Sequence, residues 1–213
     1  CVRMRALADS GRAMWQWHDL WVRTQLAGLR GDPQIDDQSY ERLLHAAQDT
    51  GMVYVQILSR LAWAQKLAPR GRSNRLAELL REAKALCTGT VFAYFERELT
   101  LVEALAAIQS GEDGGRAALA AALEAAKRTG YPYPTRTYSR FVAQLCACAL
   151  AAGIETEYAR RLVRKFNLEA PPQAPESWPW RGQGVTLRPL ASSVEGAPPR
   201  FLGEEPRKQW SQR

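Results

Sequence analysis

Apolar residues recur along the first 170 positions with the period of an α-helix. Tyr138, Phe141, Val142, Leu145, Ala149 and Ala152 keep to one helix face, as do Leu76, Leu79, Leu80, Ala83 and Leu86. Tyr158, Leu162, Val163 and Phe166 make a third stripe. A fourth runs through Phe92, Phe95, Leu99, Val102 and Ala106, and Leu101, Leu105 and Ile108 widen it. A helix apolar on so much of its circumference should be buried between neighbours.

Glycine punctuates these stripes at a steady interval. Gly31, Gly71, Gly111 and Gly153 are spaced by 40, 40 and 42 residues. Thr50-Gly51, Thr88-Gly89 and Thr129-Gly130 interleave with them, spaced by 38 and 41. Glycine enters the left-handed conformation that ends a helix at little cost. Together the two series define a unit of about 40 residues built from two helices. First helices are predicted over roughly 12–30, 52–69, 91–110 and 135–152, second helices over roughly 36–50, 73–88, 115–129 and 155–167. Asp36 or Asp37 can cap one second helix and Ser73 another. Ala46, Ala47, Ala83, Ala122 and Ala126 let the second helices approach closely. The expected fold is all-α: an α-solenoid of about four helix pairs, tetratricopeptide-like in size, over residues 1–170. A non-repetitive helical bundle is the alternative, because the usual tetratricopeptide consensus is poorly kept.

Proline marks a break. Four of the 12 prolines (Pro33, Pro69, Pro132 and Pro134) lie in the first 170 residues and eight in the last 43. Proline blocks helix interiors, so a Pro/Trp/Gly-rich linker is expected over 171–184. Beyond it, Val185-Thr186-Leu187-Arg188 alternates as a strand does, Glu195-Gly196 can turn, and Arg200-Phe201-Leu202 can return. A short β-hairpin is therefore expected within 185–213.

Composition narrows the class. At 213 residues with 46% apolar and 24% charged positions, the chain can bury a sizeable core. No apolar run approaches the ~20 residues of a membrane span, and a cytoplasmic protein is expected. The chain opens on Cys1, as mature bacterial lipoproteins do, but a helical pattern follows at once where a polar tether would be usual; a fragment is the expectation. The net charge of +7 is spread along the sequence. The densest basic run, Arg160, Arg161, Arg164 and Lys165, reads as a solvated helix face near a C-terminus, with phosphate binding as the sharper alternative.

Reactive constellations are sparse. No Gly-Lys dipeptide occurs, so there is no P-loop, and no Gly-x-Gly-x-x-Gly follows a strand. Cys146-x-Cys148 lies inside a helical pattern, where its side chains diverge, and with Cys87 it reads as structural thiol in a reducing compartment. His18 stands beside Asp19, but adjacent helical residues do not face each other; His45 sits in Leu43-Leu44-His45-Ala46. No catalytic residue, metal ligand or cofactor site is assigned, and an enzyme is not expected. Aromatic residues concentrate in the first two long helices. Trp15, His18, Trp21 and Trp63 are the candidate effector or partner groove, with core and inter-repeat packing the competing role for the tryptophans.

Several stretches carry a resemblance. Ala151-Ala152-Gly153-Ile154-Glu155-Thr156-Glu157-Tyr158-Ala159-Arg160-Arg161-Leu162-Val163-Arg164 resembles the last helical repeat of large bacterial transcriptional regulators of the maltose-regulator-like kind. Ala174-Pro175-Glu176-Ser177-Trp178-Pro179-Trp180 is similar to the linker that precedes a SARP-type winged-helix domain in such proteins, and Val185–Leu190 with Glu195–Phe201 look like its opening hairpin. The resemblance implies a non-catalytic sensor or protein-interaction segment, with a protein partner or small effector on the concave solenoid face and DNA reached only through the winged-helix part. No recognition helix follows the hairpin, so Arg200, Arg207 and Lys208 are left as weak phosphate contacts. The alternative is a free-standing helical-repeat adaptor.

Overall fold

The computed structural model describes residues 2–30, 36–89, 92, 94–128 and 139–179, the side chains of 2–10, 28–30 and 94 aside. These residues are all-α, with eight α-helices and no strand among them. In chain order the helices are α1 (Val2–Arg30), α2 (Asp37–Asp49), α3 (Val53–Leu67), α4 (Asn74–Cys87), α5 (Tyr94–Gln109), α6 (Gly115–Arg128), α7 (Ser139–Ala152) and α8 (Thr156–Phe166). A single 3₁₀ turn, Ala68–Arg70, prolongs α3. Each helix lies where the periodicity put it, except that α1 begins about ten residues early. The expected hairpin over 185–213 falls outside the described residues.

The boundaries follow local chemistry. Asp36, not Asp37, caps α2: its carboxylate accepts from the Ser39 backbone N–H at 2.9 Å and the Ser39 hydroxyl at 2.8 Å. Those bonds hold its carboxyl below the usual range. Ser73 caps α4 by accepting from the Leu76 N–H at 3.2 Å. Gly51, Gly71, Gly89, Gly111 and Gly153 all take positive φ, as their place after a helix requires; Gly31 and Gly130 lie outside the described residues.

Each first helix packs on its own second helix: α1 with α2, α3 with α4, α5 with α6 and α7 with α8. The longer helices also meet other pairs. α3 contacts α2 and α5, while α5 contacts α4 and α7. Four hydrogen bonds that involve side chains span 36 to 42 residues, close to the interval between the glycines. Trp17 Nε1 donates to Ser59 Oγ (2.9 Å), the Arg72 N–H to Ser110 Oγ (2.7 Å), Gln109 Nε2 to Cys148 Sγ (3.0 Å), and Arg116 to the Ala152 carbonyl (2.5 Å). One core results, centred on Leu43, Ile57, Trp63, Leu79, Leu99, Leu105, Leu119 and Cys146.

The helical body does not end at residue 170. The compact unit runs Cys1–Arg181, and Leu168, Ala174 and Trp178 are buried in the same core. Much of the expected linker is thus a built part of the unit. Two successive turns explain how a proline-rich stretch manages this. The Ala174 N–H donates to the Pro171 carbonyl at 2.9 Å, and the Trp178 N–H to the Pro175 carbonyl at 3.0 Å. Each turn starts on a proline and delivers its fourth residue to the core.

Two predictions follow from this packing. Trp178 is 2% exposed, so Trp178→Ala should cost about 3–5 kcal/mol in denaturant unfolding. Its indole N–H has no hydrogen-bond partner, so Trp178→Phe gives up packing volume but no hydrogen bond and should cost clearly less than Trp178→Ala. A Cβ on Gly115 would lie 2.8 Å from the Ile108 backbone nitrogen, whereas one on Gly114 would meet nothing within 4 Å. Gly115→Ala should therefore destabilise by about 1–3 kcal/mol while Gly114→Ala does not, in the same assay.

Candidate functional site

Two sides of α1 have different fates. Met14, Trp17, Leu20 and Trp21 pack toward the core. Trp17 is 6% exposed, and its N–H reaches Ser59, whose hydroxyl in turn donates to the Val55 carbonyl at 2.9 Å. Trp21, half-buried, stacks on Trp17 with ring centroids 5.5 Å apart. On the other side Trp15 is 76% exposed. His18 is exposed and meets the rings of Trp15 and Trp17 edge-on at 6.3 and 6.5 Å. Asp19 turns to Arg23, 2.8 Å away, as the helical divergence of neighbouring residues requires.

Trp63 does not join this group. It is 1% exposed and stacks on Tyr40 of α2 at 5.7 Å. The Arg75 guanidinium covers its ring at 4.5 Å and is held by Glu41 (2.6 Å) and Glu78 (3.1 Å). Lys66 covers the Tyr40 ring at 4.7 Å. This stack of two rings capped by a cation at each end ties α2, α3 and α4 together. Trp15, His18, Trp21 and Trp63 therefore do not line one groove: Trp63 is core, Trp21 is at the core's edge, and Trp15 with His18 face away. Arg200, Arg207 and Lys208 lie outside the described residues.

A groove does exist between α1 and α2. It is shallow, about 390 Å³, and lined by Gln16, Asp19, Leu20, Arg42, His45, Ala46 and Asp49. Its floor is Leu20 and Ala46, both half-buried, while Asp19, Arg42, His45 and Asp49 stand exposed around it. The signal for it was in the sequence: Arg42, His45 and Asp49 recur at spacings of 3 and 4 on one face of α2. A larger hollow, about 780 Å³, opens between the start of α7 and residues 166–172. It holds Arg140, Gln144 and Asn167 but no histidine or cysteine.

The basic run on α8 faces water. Arg161, Arg164 and Lys165 are exposed, Arg160 pairs with Glu157 at 2.5 Å, and Arg161 lies over the Tyr158 ring at 5.3 Å. Burial raises the thiols of Cys87, Cys146 and Cys148, and pushes Cys146 up to about 12. Burial thus favours the protonated thiol at all three positions, the opposite of the surroundings that favour a thiolate. Among the described residues no cluster of three or more His, Cys, Asp or Glu could hold a metal ion, and no helix is long and apolar enough to cross a membrane. The chain matches no protein-family model, no curated protein and no solved structure at a significant level.

Burial, with the Asp37 charge adding to it, also pushes the Tyr40 phenol up to about 12 from its ordinary 10.0. The neutral form is the one the fold favours. Its stabilisation is complete below pH 10 and is lost as pH climbs toward 12. Thermal midpoints should fall through that window, and Tyr40→Phe should remove a share on the order of 2 kcal/mol, read as a flatter dependence of stability on pH above 10.

Proposed function

We propose that residues 1–181 form an α-solenoid of four tetratricopeptide-sized helix pairs that acts by non-covalent recognition, as the sensor or protein-interaction segment of a transcriptional regulator. The groove between α1 and α2 carries this reading. Its apolar floor, bordered by two carboxylates (Asp19, Asp49), a guanidinium (Arg42) and an imidazole (His45), suits an extended or helical peptide that carries charges of both signs. Support for the solenoid comes from the hydrogen bonds that recur one unit apart and from left-handed glycines at equivalent places. The resemblance over residues 150–208 supplies the regulator context. DNA contact would fall to residues 185–213, through Arg200, Arg207 and Lys208. Buried neutral thiols fit a reducing, cytoplasmic compartment.

The mechanism is a population shift. A ligand that fits the groove best at one spacing of α1 and α2 favours that spacing, and Trp17 carries the change to Ser59 on α3. A second reading, a free-standing adaptor, is favoured by the way the Pro171–Trp178 turns finish the helical unit on its own core. Both readings share the groove.

A photo-crosslinking residue placed in cells at Gln16 or His45, with Glu124 on α6 as control, tests it. One defined protein joined from both groove positions and not from the control is the expected result. Equal labelling from the control position, or no protein adduct from the groove, overturns it.

A further inference from the structure

On the side of α1 opposite Trp17, three apolar side chains stand in water: Trp15 is 76%, Val22 37% and Leu26 47% exposed. At about 100° per residue they fall within about 40° of one another, so they form one stripe. Scattered apolar residues need no explanation, but an aligned stripe headed by a tryptophan marks a contact surface.

The other long helices reveal what such a stripe is for. Adding 40 to each position gives its equivalent on α3 and then on α5. Trp15 corresponds to Val55 (2% exposed) and Phe95 (4%), Val22 to Ala62 (5%) and Val102 (0%), and Leu26 to Lys66, which lies over the Tyr40 ring of α2, and Ala106 (1%). Arg23, on the flank of the stripe, corresponds to Trp63 and Glu103. Trp63 stacks on Tyr40 of α2, and Glu103 accepts from Lys84 of α4 at 2.7 Å. In both cases the partner is the helix just before in the chain. The stripe is thus a helix-docking face in the register that α3 and α5 use, and on α1 no described residue covers it.

We propose that the stripe is covered by α1 of a second copy of this chain, the two helices running antiparallel about a two-fold axis. Three observations favour this occupant. The stripe is self-complementary: an axis near residues 20–21 sets Trp15 opposite Leu26 of the other copy. The same axis lies within one residue of the midpoint between Asp19 and Arg23, which share a flank 2.8 Å apart. Each copy's Asp19 then meets the other's Arg23, and the two intrahelical pairs join in one four-charge cluster. Finally, the described residues at the far end of the unit show no matching face for head-to-tail growth: Leu168, Ala174 and Trp178 are packed into the core with α7 and α8. A closed dimer results, not a filament. With one helix from each copy the interface sits at the small end of specific contacts, and a dissociation constant on the order of micromolar is expected.

Sedimentation of the purified full chain across the micromolar range, with no groove partner present, tests this. A reversible monomer–dimer equilibrium is expected. Trp15→Glu should weaken it tenfold or more while leaving the helical circular dichroism and thermal midpoint in place, since the side chain is mostly in water. Arg23→Glu should weaken it, and the double exchange Asp19→Arg with Arg23→Glu should restore it. A monomer at every concentration overturns the proposal. So does a dimer that Trp15→Glu leaves intact, which would place the contact elsewhere, including residues 182–213. Failure of the double exchange to restore association overturns the antiparallel two-fold pairing.

Discussion

The first helix of each pair has two apolar sides to bury, and its own second helix can cover only one of them. α5 makes the constraint plain. Phe95, Leu99, Leu101, Val102, Ala104, Leu105, Ala106 and Ala107 are all buried, which takes in most of the helix circumference. Burying a large aliphatic or aromatic side chain is worth about 1.5–3 kcal/mol, so a helix of this composition is far from stable unless it is flanked. Its contacts with α4, α6, α3 and α7 supply the flanking. The hydrogen bonds that join residues one unit apart then fix the register at which neighbours meet. Gln109 to Cys148 and Arg116 to the Ala152 carbonyl do this for α5, α6 and α7.

A constraint of this kind must be settled differently at the two ends of the described series of pairs. After α8 the described residues settle it without another helix. Two proline-led turns return Ala174 and Trp178 to the core, which gives the last pair the cover that a following helix would give. α1 has no such device among the described residues, and its outward stripe keeps the form of an internal helix. The same sequence rule, two apolar sides on each first helix, thus yields a buried seam at α3 and α5 and a surface patch at α1.

This rule is also why so much of the fold was legible in the sequence. Helix periodicity, the spaced glycines and the caps at Asp36 and Ser73 are local signals, set by residues within a turn or two of one another, and the structure follows them closely. The misplaced features depend on partners distant in sequence. Trp63 was open to a groove role or a packing role from sequence, and its neighbours decide for packing: Tyr40, 23 positions before it, and Arg75, 12 after. Nothing local distinguishes a tryptophan that meets a ligand from one that meets another helix. The end of the helical body was misread for a related reason. Proline density reports that a segment cannot be helical; whether the segment packs depends on whether something like Trp178 follows it.

The aromatic residues that drew attention first are therefore mostly occupied with each other, and the proposed recognition surface is instead a set of charged side chains on a shallow apolar floor. That division has a mechanical consequence. The groove walls belong to α1 and α2, and both are tied into α3 by aromatic contacts: Trp17 through Ser59, and Tyr40 through Trp63. A peptide that parts α1 from α2 must either move Trp17 off Ser59, leaving a buried indole N–H unpaired at a cost of about 1–3 kcal/mol, or carry α3 along with it. Moving α3 preserves the buried bond and exchanges one packing arrangement for another. In the proposed sensor, that preference is what turns occupancy of a surface groove into a displacement passed down the helices.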